Sequence, residues 1–138
     1  MKYLRTYPLS LFCIALIWFL CLFKPPSTRL DTIEGFDKVV HIVMYLGTCT
    51  VIWWEYLRSH CRLNGKRLLV FAVVLPILMS GIIELTQEYA TDCRSGDWAD
   101  FAANSLGALL GAAAGYGILR PYLLRKKTNR TTRHNKNT

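Results

Sequence analysis

The stretch FAANSLGALLGAAAGYGIL, residues 101–119, decides the fold class because it is long and almost free of polar side chains. Three more stretches share this character, at residues 7–23, 39–54 and 68–83. With its flanks, each stretch is about 17 to 22 residues long, the length of helix that crosses a hydrocarbon core of roughly 30 Å. A helix of a soluble bundle would carry a polar face, and residues 9–23 carry none.

The four apolar stretches predict an all-α, polytopic membrane protein whose four transmembrane helices form an antiparallel bundle. We place this bundle in one domain over residues 1–125, with helices at about residues 7–23, 39–57, 68–89 and 98–119. The basic start of the first stretch is typical of a signal peptide. The stretch itself is followed by Lys24-Pro25-Pro26 rather than by a small-x-small cleavage site, so we interpret the first stretch as a retained anchor.

The distribution of charge predicts how the helices are oriented in the membrane. The net charge of +8 is concentrated at the N-terminus, in residues 58–67 and in the C-terminal tail, whereas residues 24–38 and 90–98 balance bases with acids. The positive-inside rule therefore places both termini in the cytoplasm. The tail, residues 126–138, is polar and basic, which predicts disorder. We expect it to meet anionic lipid rather than nucleic acid, because it has no aromatic residues for base stacking.

Two features predict how the helices pack. Gly107, Gly111 and Gly115 follow one another at intervals of four, which gives the fourth helix a smooth strip that a neighbouring backbone can approach closely. Pro76 lies inside the third helix and should kink or loosen it locally, because proline has no backbone N–H.

Polar and ionisable side chains lie at the predicted outer ends of three helices. On the second helix, Asp37, His41 and Tyr45 follow at i, i+4 and i+8 and so share one face. On the third helix, Glu84 and Gln87 lie in the outermost turns. Charged groups within a membrane normally face the bundle interior and have a partner, so they favour a functional hypothesis.

The fourth helix completes this set. Asp97, Asp100 and Asn104 follow at i, i+3 and i+7, on the face that continues into Gly107. Because the glycine strip should pack inward, we expect these side chains to do so as well. The sequence thus predicts one outward-opening polar pocket built by three helices, with Arg94 in the loop above it.

Each of these residues also has a structural interpretation. His41 alone is compatible with an interfacial histidine that points to lipid headgroups. Gln87 and Asn104 are typical of hydrogen bonds between helices. Asp97 has the position and residue type of an N-cap, and Arg94 would serve as a counter-ion.

The same residues carry a family resemblance. DKVVHIVMY, residues 37–45, resembles the D-K-x-x-H-x-x-x-Y signature of the VanZ-like membrane proteins. A second signature of that family is E-x-x-Q, then R-S-x-D-x-x-D-x-x-x-N-x-x-G-x-x-x-G. Its residues here are Glu84, Gln87, Arg94, Ser95, Asp97, Asp100, Asn104, Gly107 and Gly111. The likeness covers roughly residues 10–120, although the proline often found before the arginine is missing, which affects the shape of the loop more than the site.

The resemblance implies a multi-pass protein of the bacterial cytoplasmic membrane. The name-giving member of the family is linked to low-level resistance to teicoplanin, a lipoglycopeptide antibiotic, whereas most relatives occur in bacteria without such resistance. A general role at the cell envelope is therefore the expectation. The family supplies no proven catalytic residue to carry over.

Three hypotheses about function are compatible with the predicted pocket. The first is an enzyme or binder of an amphiphile, such as a lipid, a lipid-linked precursor or a lipoglycopeptide, with His41 and either Glu84 or Asp100 as an acid–base pair. In this hypothesis the catalytic candidates are His41, Glu84 and Asp100, and the ligand-binding candidates are Asp37, Tyr45, Gln87, Arg94, Asp97 and Asn104. The second is a non-catalytic scaffold, and the third and weakest is a proton-coupled transporter.

No cofactor is predicted for the pocket. A metal ion held by His41 and the carboxylates would be chemically reasonable, but one histidine is weak support, so we assign no metal ligand. The sequence leaves the oligomeric state open.

Overall fold

The protein is described by a computed structural model, which covers residues 6–22, 35–60, 64–90 and 96–125. Within these ranges the chain is almost entirely helical and forms no strand, so the all-α prediction is confirmed. Helix α1 covers Pro8–Leu22 and α2 covers Phe36–Ser59. Helix α3 is α-helical over Gly65–Leu69 and Leu75–Ala90 and π-helical over Val70–Val74, and α4 is α-helical over Trp98–Ala114 and π-helical over Gly115–Leu119.

Two helices begin earlier than predicted because their starts are set by local backbone features. Helix α2 begins at Phe36 rather than at residue 39, directly after Gly35, whose φ of 82° turns the chain into the helix. Helix α3 begins at Gly65 rather than at residue 68, because the Asn64 side chain accepts a hydrogen bond of 3.1 Å from the backbone N–H of Arg67. Apolar periodicity carries no information about such caps.

Three helices are long and apolar enough to cross a membrane: Phe36–Ser59, Gly65–Tyr89 and Trp98–Arg125. Their outward faces carry large exposed apolar side chains, as a lipid environment requires. Helix α1 has 15 residues, and at 1.5 Å per residue this is about 22 Å, short of a hydrocarbon core of roughly 30 Å. A fourth span therefore stays a prediction, and the predicted disordered tail lies outside the described residues.

Helices α2 and α4 pack tightly through the predicted glycine strip. A Cβ atom added at Gly111 would lie 2.8 Å from the Cβ of Cys49 and 2.8 Å from the carbonyl oxygen of Leu46. One added at Gly107 would meet the carbonyl oxygen of Ile42. Real side chains do not tolerate such distances, so only glycine permits this approach, and the prediction of a smooth packing strip is confirmed.

Pro76 has the expected local effect on α3. Shortly before it, Val70–Val74 form a π-helical turn in which the N–H of Leu75 donates to the carbonyl of Val70. Proline offers no N–H to the carbonyl four residues before it, so the helix widens by one residue per turn at this point. The predicted loosening is therefore confirmed, in the form of a π-turn.

A buried carboxylate attaches the start of α1 to the end of α2. The Glu55 oxygens accept hydrogen bonds from the backbone N–H groups of Leu9 and Ser10, both at 3.0 Å, and from the Ser10 hydroxyl at 2.6 Å. The first N–H groups of a helix lack partners within the helix, and a carboxylate at this positive end satisfies them. Glu55 thus acts as an N-cap supplied by another helix.

Candidate functional site

Helix α2 brings three of the predicted site residues to the end of the bundle where α2 and α4 begin. Asp37 lies at the rim with 59% of its side chain exposed, whereas His41, one turn further along, is only 3% exposed. Tyr45 is fully buried and belongs to the same buried cluster as Ile17 and Ile83. The spacing of four residues places all three on the same face, so the polar face runs from the surface into the apolar core.

A chain of hydrogen bonds joins three helices below the rim. The Nδ1 atom of His41 lies 2.9 Å from the Oδ1 atom of Asn104 on α4. The Asn104 amide donates in turn to the hydroxyl of Ser80 on α3, at 2.8 Å. All three side chains are buried, and buried polar groups are stable only when they are hydrogen-bonded. The chain therefore fixes the orientation of the imidazole relative to α3 and α4.

The other nitrogen of His41 faces two carboxylates. Its Nε2 atom lies 3.7 Å from Oδ2 of Asp100, which is buried, and 3.8 Å from Oδ1 of Asp37. Of the two carboxylates considered as acid–base partners for His41, the structure places Asp100 beside the imidazole. At this distance the imidazole and the carboxylate attract each other without a direct hydrogen bond, and proton transfer between them would require a closer approach.

Lys38 closes one side of the rim. Its Nζ atom lies 3.3 Å from Oδ2 of Asp97 and 3.5 Å from Oδ1 of Asp100. Asp97 also caps α4, because its Oδ1 accepts the N–H of Ala99 at 2.8 Å, so the interpretation of Asp97 as an N-cap is confirmed. This cap hydrogen bond, followed by the one from Lys38, lowers the pKa of Asp97 below its ordinary value.

Glu84 and Gln87 have contacts with neighbouring elements. The Oε2 atom of Glu84, which is buried, accepts the backbone N–H of Asp97 at 3.0 Å and so holds the start of α4. The side-chain amide of Gln87 donates to the carbonyl oxygen of Cys21 on α1, at 2.7 Å. The interpretation that Gln87 and Asn104 form hydrogen bonds between helices is therefore confirmed.

The structure also adds residues that the sequence did not single out as part of the site. Lys38 and Ser80 both belong to the site, and each has a feature in the sequence that could have indicated it. Lys38 follows the first acid of the family signature, and Ser80 is a lone hydroxyl within an apolar stretch. Glu55, outside the site, is likewise a single acid after a pair of tryptophans. Arg94, the predicted top of the pocket, lies outside the described residues.

These observations describe a helical protein in which three helices are long and apolar enough to cross a membrane, with a buried polar cluster at one end. The family model VanZ/LLP1 matches residues 6–120, which is most of the chain. The protein therefore belongs to the VanZ/LLP1 family, as its two sequence signatures indicated. No curated protein and no solved structure matches the chain significantly.

Proposed function

We propose that the chain is a multi-pass protein of the bacterial cytoplasmic membrane with four spans, both termini in the cytoplasm and the polar cluster facing outward. The alternation of basic and charge-balanced segments supports this orientation. The fourth span requires α1 and its flanking residues to cross together, since the 15 residues of Pro8–Leu22 are short by themselves.

We propose further that the cluster binds the polar part of an amphiphile, such as a lipid, a lipid-linked precursor or a lipoglycopeptide. The observation that carries this proposal is the convergence of polar side chains from three helices at the end of the bundle where α2 and α4 begin. Buried ionisable groups in a membrane protein cost several kcal/mol and default to a functional role. A pocket at headgroup depth would meet the polar part of such a ligand while its tail stays in the lipid.

Some residues of the cluster would contact the ligand, and others would transfer protons. Lys38 is a half-exposed cation at the rim and would pair with a phosphate or carboxylate of the ligand, together with Arg94. His41 and Asp100 lie deeper and would act as the proton-transferring pair if a reaction takes place. A role in teicoplanin resistance is the specific form of this proposal that the family suggests.

A scaffold is the second candidate, and a specific observation favours it. The hydrogen bonds of His41, Asn104 and Ser80, and that of Gln87 with Cys21, join helices to one another and need no ligand. In that case the cluster would stabilise the bundle, and its removal would lower protein abundance.

The two functions are separated by measuring teicoplanin sensitivity in a susceptible host at matched membrane abundance. The variants are His41→Ala, Glu84→Gln and Asp100→Asn. The matched control is Glu88→Gln, one turn from Glu84. This exposed carboxylate accepts the backbone N–H of Gly96 at 3.1 Å, a hydrogen bond that a glutamine oxygen can keep. If the cluster is a ligand site, the wild type and the control should protect the host against teicoplanin, and the three variants should not. A scaffold predicts that function falls only where abundance falls, and a wild type without protection would exclude the resistance role.

A further inference from the structure

Three ligand-type atoms meet at the rim of the cluster. One oxygen each from Asp37 and Asp100 and the Nε2 atom of His41 all lie within 4.8 Å of one another. The Nε2 atom is 3.8 Å from Asp37 and 3.7 Å from Asp100. These separations exceed the usual hydrogen-bond length of about 2.7–3.2 Å. Atoms that bind one ion at about 2.1 Å are roughly 3.0–3.5 Å apart, so the three groups would draw closer around a cation, with Asp37 at the exposed rim able to move.

The imidazole of His41 is oriented as it is in metal sites. Its Nδ1 lies 2.9 Å from the amide oxygen of the Asn104 side chain, and with the amide in this orientation the tautomer that fits is the one with the proton on Nδ1. The amide of Asn104 keeps this orientation because it donates to Ser80 at 2.8 Å. A histidine that binds a metal normally donates its other N–H to such a fixed acceptor. The Nε2 lone pair then points at the two carboxylates.

The electrostatics of this arrangement favour a cation. An imidazole nitrogen and two carboxylates converge at the rim, and their negative charge attracts positive charge. Lys38 is near, but it approaches the Oδ1 atom of Asp100, whereas the Oδ2 atom of the same carboxylate faces His41. Lys38 and His41 thus lie beside different oxygens of Asp100.

We propose that Asp37, His41 and Asp100 bind one divalent cation of the Zn²⁺ type. One imidazole nitrogen and two carboxylate oxygens are donors that suit zinc and its first-row neighbours. Asp37 is 59% exposed, so the remaining coordination positions face the opening of the cluster. Three protein ligands with an open position are the pattern of a metal that binds a further ligand. The metal site does not depend on the proposed amphiphile, although a bound cation would attract an anionic headgroup. With the cation bound, His41 and Asp100 serve as its ligands and not as a proton-transferring pair.

Zinc binding by the full chain, purified in detergent and stripped of metal, tests this proposal. Competition with a chromophoric chelator measures stoichiometry and affinity, and X-ray absorption of the zinc-loaded protein identifies the ligand atoms. The expected result is one zinc per chain, with nitrogen and oxygen neighbours at about 2.0–2.1 Å and no sulfur at about 2.3 Å. Sulfur neighbours would assign the metal to cysteines, and absence of stoichiometric binding would show a hydrogen-bonded cluster; either result overturns the proposal.

Variants test the assignment of the ligands. His41→Gln and Asp100→Asn should weaken binding by more than about 10-fold, because even outer partners of a metal site contribute about 10-fold to 100-fold. Glu88→Gln, an exposed acid at the same end of α3, should bind zinc like the wild type. Equal affinity in all four proteins would refute the site. The absorption spectrum of the wild type decides the question alone if a variant fails to fold.

Discussion

Replacing Gly111 with alanine places a methyl group where α4 lies against α2. The new Cβ atom would lie 2.8 Å from both the Cys49 Cβ and the Leu46 carbonyl oxygen, and ordinary van der Waals contact begins near 3.4 Å. The helices must therefore separate locally by about 0.6 Å, and overpacking of this kind costs about 1–3 kcal/mol. Alanine recovers about 0.5–1 kcal/mol of helix propensity. We expect a net destabilisation of up to about 2.5 kcal/mol, with a mid-range value of about 1 kcal/mol.

Thermal unfolding in detergent measures this effect. The thiol of Cys49 is fully buried, so a fluorogenic maleimide reports its exposure on unfolding, after the accessible cysteines have been blocked. The matched control is Gly47→Ala in α2, where an added Cβ meets nothing within 4 Å and should leave the midpoint unchanged or slightly higher. If Gly111→Ala unfolds at or above the wild-type midpoint, α2 and α4 do not pack through the glycine strip as described.

Three further predictions concern the bundle and its orientation. Glu55→Ala should destabilise the bundle by about 1–3 kcal/mol, because it strands the N–H groups at the start of α1. The buried Cys21 thiol of α1 should then label faster, and an unchanged rate would refute the cap. In intact cells, a membrane-impermeant maleimide should label Cys93 but reach Cys61 only after permeabilisation; the reverse order would invert the topology. Above about pH 5, Asp97→Asn should lower the unfolding midpoint, because the lowered pKa of Asp97 means that its ionised form stabilises the fold. The difference between variant and wild type should shrink on acidification, as the wild-type carboxylate takes up a proton. A difference that grows on acidification would contradict this.

The sequence predicted the elements of this fold because each signal is local. Long apolar stretches fix where helices lie, and a spacing of four residues fixes which side chains share a face. The glycine strip and Pro76 are read in the same way, since both act on the backbone at or beside their own positions. The pairing of His41 with Asp100 was one of two alternatives at that stage.

Contacts between distant elements were not predictable in this way. Glu55 accepts N–H groups of α1, more than 40 residues away in the chain. Ser80 meets Asn104 only because α3 and α4 have a particular rotation and axial offset. Neither quantity is encoded in the periodicity of one helix. The Asn64 cap was missed because apolar periodicity does not mark the first turn of a helix.

The most direct test of a functional cluster is to separate ligand binding from stability. Native mass spectrometry of the full chain, with phosphatidylglycerol, phosphatidylethanolamine and teicoplanin as probes, measures ligand retention, and thermal unfolding measures stability. We predict that Asp100→Asn loses the ligand that the wild type retains while its unfolding midpoint changes little. Gly111→Ala should keep that ligand with a lower midpoint. If the wild type retains no probe, or if retention simply follows the midpoint in both variants, the cluster serves the structure of the bundle and the proposed binding function is wrong.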